Sequence, residues 1–181
     1  MDIYKLKLTK LQNEIFRLLC IKAGTALSKR EIAGCLKVSP TAVSKSLPLL
    51  EKEGLARVKA HPKARISSVQ LNRDNPKVIW LKRTENLKLL MESGLVDFLR
   101  DGFPGCTIIV FGSYSLGEDT KESDIDIAVI GSKETETDLE KFEGMLERGI
   151  TLHFYGSLKE IGRNLKSNIL DGITLEGAVD L

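Results

Sequence analysis

Asp124 and Asp126 alternate with Ile125 and Ile127 in SDIDIAVIG, residues 123–131. On an extended strand successive side chains point to opposite faces, so this spacing predicts both carboxylates on one face and both isoleucines on the other. Two like charges side by side repel each other. Water or a divalent cation sustains such a pair, and hard carboxylate oxygens suit Mg2+ or Mn2+. Upstream, Gly112 and Ser113 close the β-rich run CTIIVFGS, residues 106–113. A glycine there lets backbone N–H groups approach a phosphate closely, and the serine hydroxyl adds a donor. The chain thus sets a metal-binding pair of aspartates beside a Gly-Ser phosphate cradle.

Positioning these groups requires two strands, one ending at the Gly-Ser and one carrying the aspartates. Beyond them, ETETDLEKFEGMLERG (134–149) reads as a helix and ITLHFYG (150–156) as a third strand. Period two puts Thr151, His153 and Tyr155 on its site-facing side, opposite Ile150, Leu152 and Phe154. His153 is then a candidate base or metal ligand, with an ordinary strand residue as the alternative. Lys121, between the first two strands, reads as a solvated loop lysine within reach of a phosphate.

Gly112-Ser113, Gly117 and Ser123-Asp124-Ile125-Asp126, at this spacing between two β-rich runs, resemble the nucleotidyltransferase superfamily of DNA polymerase β. They look most like its minimal branch, which includes prokaryotic antitoxin-type members. The resemblance is direct over 108–130 and extends weakly to DGITLEG, residues 171–177. It implies that Asp124 and Asp126 hold Mg2+ on the triphosphate of ATP or another NTP. Gly112 and Ser113 would orient the β- and γ-phosphates, and Ser123 would lie in the nucleotide site. A hydroxyl acceptor, on a partner protein in the antitoxin-like case, would attack the α-phosphorus and expel pyrophosphate. Family members usually carry a third carboxylate on the next strand, and Thr151 occupies that place here. Two functions therefore stay open: a nucleotidyltransferase transferring an NMP, with AMP expected, or a DNA-binding regulator whose inactive nucleotidyltransferase-like domain binds nucleotide or only dimerises.

The reason for naming DNA lies in the other half. Residues 1–83 carry 18 Lys and Arg against 6 Asp and Glu, whereas residues 84–181 carry 9 against 19. A basic half suits phosphate backbones and an acidic half does not. LTKLQNEIFRLLCIKAG (8–24) has apolar residues at helical spacing, and Gly24 is placed to end the helix. Ser28 with Glu31 forms a capping box for a second helix, and Ser39 with Pro40 opens a third, which Gly54 ends. Two strands follow around a basic tip containing His61, Lys63 and Arg65. This arrangement over residues 8–72 resembles a winged helix-turn-helix. Its recognition helix would expose Thr41, Ala42, Ser44, Lys45 and Ser46 to double-stranded DNA, with Lys63 and Arg65 on the wing. A tri-helical docking or dimerisation module is the alternative. Pro48 removes a donor and crowds the Ser44 carbonyl inside the third helix, so a kink is expected there.

The overall expectation is an α+β chain in three parts: a winged helix-turn-helix over 1–74, connector helices over 75–103 and a small mixed-sheet nucleotidyltransferase-like domain over 104–181. In the connector Leu87, Leu90 and Met91 form an apolar stripe, Gly94 breaks the helix, and Trp80 reads as a packing residue. Cys20, Cys35 and Cys106 lack metal-ligand spacing and suit reduced thiols. With no apolar leader or membrane-length span, a cytoplasmic protein is expected, and winged-helix half-sites suggest a homodimer.

Overall fold

The computed structural model describes residues 7–61 and 66–179, which divide into two compact units, Met1–Val78 and Ile79–Leu181. In the first unit, Thr9 and Gln12 exchange hydrogen bonds in a capping box that starts α1 (Lys10–Ile21). A short strand β1 (Leu27–Ser28) leads into α2 (Lys29–Leu36). Ser28 caps α2 through its hydroxyl and receives the Glu31 carboxylate on its own N–H, as expected. Those Ser28 hydrogen bonds hold the Glu31 carboxyl below its ordinary range. Helix α3 (Pro40–Lys52) begins with Ser39 as N-cap and Pro40 in its first turn, and remains one helix through Pro48.

Strands β2 (Ala56–His61) and β3 (Ile66–Leu71) form the antiparallel wing, and β1 adds to the far side of β3 in the order β1-β3-β2. The wing tip, with Lys63 and Arg65, lies outside the described residues. Ile15, Leu19, Ile32, Val43, Leu47, Leu50, Leu55 and Val69 fill the centre and are almost wholly buried. Each such side chain contributes about 1.5–3 kcal/mol over an exposed one. Three helices followed by a two-stranded wing make this unit a winged helix-turn-helix fold.

Helix α4 (Pro76–Glu92) and α5 (Leu95–Gly102) come next, separated at Gly94, whose φ is 78°. The inward series on α4 differs from the expected stripe. Val78, Lys82, Asn86 and Leu90, four residues apart, are buried, whereas Met91 is exposed. Trp80, expected to pack, is 65% exposed, with the Arg83 guanidinium 5.4 Å from its ring centroid.

The second unit is built on a four-stranded mixed sheet in the order β6-β5-β4-β7. Strand β4 (Thr107–Phe111) runs antiparallel to β5 (Ile125–Ile130) and to β7 (Ile173–Glu176), while β5 and β6 (Ile150–Tyr155) are parallel. Between them lie α6 (Gly112–Leu116), α7 (Glu140–Leu146) and α8 (Arg163–Leu170). Ile108, Val110, Ile125, Ile127 and Val129 pack with α5 and α7 on one face. Ile109, Phe111 and Ala128 pack with Leu158, Ile161 and Ile169 on the other. Burial on both faces explains the near-continuous apolar run of β4.

The helix expected over 134–149 is confined to α7. Upstream of it, the Thr135 hydroxyl donates to the Lys133 carbonyl and the Thr137 hydroxyl to the Thr135 carbonyl. Such local bonds compete with helix, and the neighbouring glutamates repel one another.

Gly117 makes a tight left-handed turn near the sheet. It has φ 76°, and a Cβ there would meet the Ile79 carbonyl at 2.5 Å and the Arg83 nitrogen at 2.8 Å. Gly117→Ala is expected to destabilise the unit by about 2–4 kcal/mol, from left-handed strain plus overpacking, read by urea unfolding. None of the three cysteines forms a disulfide. Among the described residues no helix is long and apolar enough to cross a membrane.

Candidate functional site

Three adjacent strands deliver the site. Phe111, the last residue of β4, pairs with Asp126 on β5, and Asp126 in turn pairs with Thr151 on β6. Thr151, His153 and Tyr155 therefore share the face of Asp126, as the alternation predicts. The place of the expected third carboxylate is directly beside Asp126, and an exposed threonine fills it. His153 reaches diagonally across, with Nε2 2.9 Å from Asp126 Oδ1. Its ring stands 5.2 Å from that of Phe111 and the imidazole is about one-third exposed.

Gly112 turns the chain away from β4 with φ 69°, and a Cβ there would come 3.2 Å from Asp126 Oδ2. One carboxylate oxygen thus faces His153 and the other lies over a glycine. The Ser115 hydroxyl donates to the Gly112 carbonyl at 2.9 Å and fixes that turn. Ser113 follows in the first turn of α6 and is half-buried.

Asp124 is exposed and precedes β5 rather than lying within it. Its Oδ1 sits where a Cβ of Gly149 would come within 2.6 Å, so its carboxylate also lies over a glycine. The Ile125 N–H donates to the Gly149 carbonyl at 2.8 Å, holding the start of β5 against the start of β6. Ser123 closes a turn. Its hydroxyl oxygen accepts the Thr120 N–H at 3.0 Å and its own N–H donates to the Thr120 carbonyl at 3.1 Å.

The donor set fits Mg2+ of a particular kind. Two accessible carboxylates, each lying where a glycine's missing Cβ lets it approach the backbone, would suit an ion held by one or two protein oxygens with the remainder from water and phosphate. They do not make an all-protein cage: among the described residues no group of three or more His, Cys, Asp or Glu side chains could hold a metal.

On α3, Thr41 and Lys45 are exposed, and Ala42 and Ser44 are partly so. Ser46 corrects the expectation. It is 8% exposed and shares the inward face with Val43, Leu47 and Leu50. Its hydroxyl donates to the Ala42 carbonyl at 3.0 Å and its own carbonyl accepts from Gln12 Nε2. Positions three and four apart fall on one helix face, so Ser46 belongs with the core stripe and cannot reach a groove.

Sequence reasoning passed over one polar group. Asp119, fully buried, pairs with Lys82, accepts Asn86 Nδ2 at 2.7 Å on Oδ1 and accepts an Arg148 guanidinium N–H at 3.3 Å on Oδ2. The one signal was on α4, where Lys82 and Asn86 occupy the helical register of Val78 and Leu90.

Residues 92–173 match the family model described as a nucleotidyltransferase domain. No curated protein sequence gives a significant match. Among solved structures, a single-residue mutant of Lactococcus lactis ZitR is similar at 24% identity and a TM-score of 0.41, over 55% of this chain and 65% of that one. The adhesin competence repressor AdcR of Streptococcus pyogenes is similar at 20% identity and TM-score 0.43, over 56% and 71%. MepR of S. aureus, solved with DNA, is similar at 19% identity and TM-score 0.38, over 52% and 80%. This chain thus spans just under two thirds of the ZitR chain. The match to a nucleotidyltransferase domain is thus confined to residues 92–173, which follow, in the order of elements, a unit of winged helix-turn-helix fold.

Proposed function

We propose that this protein is a DNA-binding nucleotidyltransferase that takes up ATP or another NTP with Mg2+ and transfers an NMP to a hydroxyl acceptor. The observation supporting this reading is the convergence of Asp126, Gly112 and His153, delivered by three adjacent strands. Asp124 and Asp126 are the residues that would hold Mg2+, which when bound neutralises triphosphate charge. Gly112 and Ser113 offer backbone N–H groups and a hydroxyl to phosphate oxygens.

His153 has a defined proton economy. An ionised carboxylate only accepts, so in a neutral ring the bond to Asp126 Oδ1 would take the hydrogen on Nε2 and leave the lone pair on Nδ1. That atom is where the proton of an attacking hydroxyl would be taken. Thr151 beside Asp126 favours the second reading, a regulator that binds nucleotide without turnover, because a threonine cannot replace an anionic ligand.

Calorimetric titration of the full chain with ATP, with and without Mg2+, tests the proposal, followed by transfer of label from α-phosphate-labelled ATP. Metal-dependent uptake with transfer supports the enzyme. Uptake without transfer supports the regulator, and no uptake of any NTP overturns both nucleotide readings.

For the DNA arm, Thr41, Ala42, Ser44 and Lys45 offer α3's accessible face, and Lys63 and Arg65 add two cations to the sequence between β2 and β3. Association with a DNA duplex is expected to weaken steeply with salt. Lys45→Ala should reduce the slope of log K against log salt by about 1, measured by fluorescence anisotropy. An unchanged slope would remove Lys45 from the interface.

A further inference from the structure

We propose that Asp119 is a positioning residue: through Lys82, Asn86 and Arg148 it sets where Asp124 stands relative to Gly112-Ser113 and to the start of β6. The inference rests on the nucleotidyltransferase reading for its consequence, and on the geometry of residues 112–124 for its cause.

The stretch between the Gly-Ser turn and the aspartates contains only the five-residue α6 and an irregular segment. Left to itself, such a segment would let the two halves of the site drift apart. It is instead held to α4 at three points. The Tyr114 carbonyl accepts Asn86 Nδ2 at 2.9 Å, and the Tyr114 hydroxyl reaches the Asn86 carbonyl at 3.4 Å. Gly117 lies against the α4 backbone at Ile79 and Arg83. The Asp119 carboxylate then takes Lys82 and Asn86 on Oδ1.

Its second oxygen does something different. Oδ2 takes Arg148, which immediately precedes Gly149. Gly149 carries the carbonyl that receives the Ile125 N–H and, lacking a Cβ, lets Asp124 Oδ1 lie against it. One buried carboxylate therefore ties together α4, the segment leaving the Gly-Ser turn, and the turn entering the strand of Thr151 and His153. From Asp119 the chain reaches Asp124 through the Thr120–Ser123 turn, so movement at Asp119 is carried to Asp124.

Packing alone gives no reason for this choice. A carboxylate, an ammonium and a guanidinium buried together are costly to desolvate, and apolar residues of similar volume fill such a space at no loss of stability. What the ionic group adds is direction: fixed donors on two different elements aimed at two oxygens of one side chain.

Arg148→Met in the full chain tests this, because it cuts the Oδ2 link while leaving the Lys82–Asp119 pair. Amide hydrogen exchange by NMR, without nucleotide, should quicken by roughly tenfold or more at Ser123 and Ile125 and by less than about threefold at Ile109 and Val110. Mg2+-dependent ATP affinity should fall by roughly tenfold or more, and Arg148→Lys should recover part of both effects. Asp119→Asn should show the same pattern more strongly; should it fail to fold, the Arg148 variants carry the test. Unchanged exchange at Ser123 and Ile125 in a folded Arg148→Met protein would overturn the proposal. So would a uniform rise across the domain, which marks a merely structural role. If wild type takes up no Mg2+-ATP, the nucleotidyltransferase reading fails while the exchange data still decide whether Asp119 positions Asp124.

Discussion

Asp126→Asn is expected to weaken Mg2+-dependent ATP binding strongly while the protein stays folded. The substitution would remove one of the two carboxylates proposed to hold the metal but keeps an oxygen that can face His153. A loss of roughly 100-fold in affinity, about 2.7 kcal/mol, is expected from calorimetry with and without the metal. Stability should change by less than about 1 kcal/mol, since surface substitutions away from packed features rarely cost more. Asp126 is about one-third exposed, which places it among them. His153→Ala separates binding from chemistry. It removes the Nδ1 proposed as base, and the Nε2 bond to Asp126, while both carboxylates stay in place, so transfer should slow far more than ATP binding weakens. Equal loss of both, or of neither, would rule out His153 as the base.

Lys82→Met should be strongly destabilising for the second unit. It leaves Asp119, fully buried, facing Arg148 and Asn86 with its closest cation gone. Breaking a buried pair by removing one partner costs about 3–5 kcal/mol, which for a unit of this size lowers Tm by on the order of 15 °C or more. Arg100→Met is the control. Arg100 pairs with Asp97 at 2.7 Å and also approaches Asp101, but all three are well exposed, so its loss should cost less than about 1 kcal/mol. Differential scanning calorimetry of the two variants distinguishes a buried ionic hub from a surface pair. Comparable Tm values would mean that the buried cluster contributes no more than an exposed one.

The expected features that match the structure are short-range ones. The Ser28–Glu31 box and the Ser39-Pro40 start depend on hydrogen bonds and dihedral preferences within a single helical turn, so residue types alone specify them. The end of β4 at Gly112 follows from a glycine's access to positive φ, and the side of β6 that carries Thr151 and His153 from period two. Where a local rule misled, a competing contact won. Ser46 looked like one more small polar residue on an exposed helix, yet the three- and four-residue spacing from Val43 turns it inward. The helix expected from residue 134 gave way to threonine hydroxyls bonding their own backbone.

By itself, then, the sequence determined the order of elements, the winged helix followed by a mixed sheet, the caps and the residue types of the candidate site. Only the tertiary structure decided which of these groups meet. His153 lies 27 residues from Asp126 along the chain and 2.9 Å from it in space, because parallel pairing of β5 with β6 brings them together. Lys82 and Asp119 are 37 residues apart and share one buried cluster. No local pattern marks either pair. The physical reason is that a cap or an alternation is settled by neighbours along the chain, whereas strand register and the satisfaction of a buried charge are settled by whatever the collapsed core places opposite them.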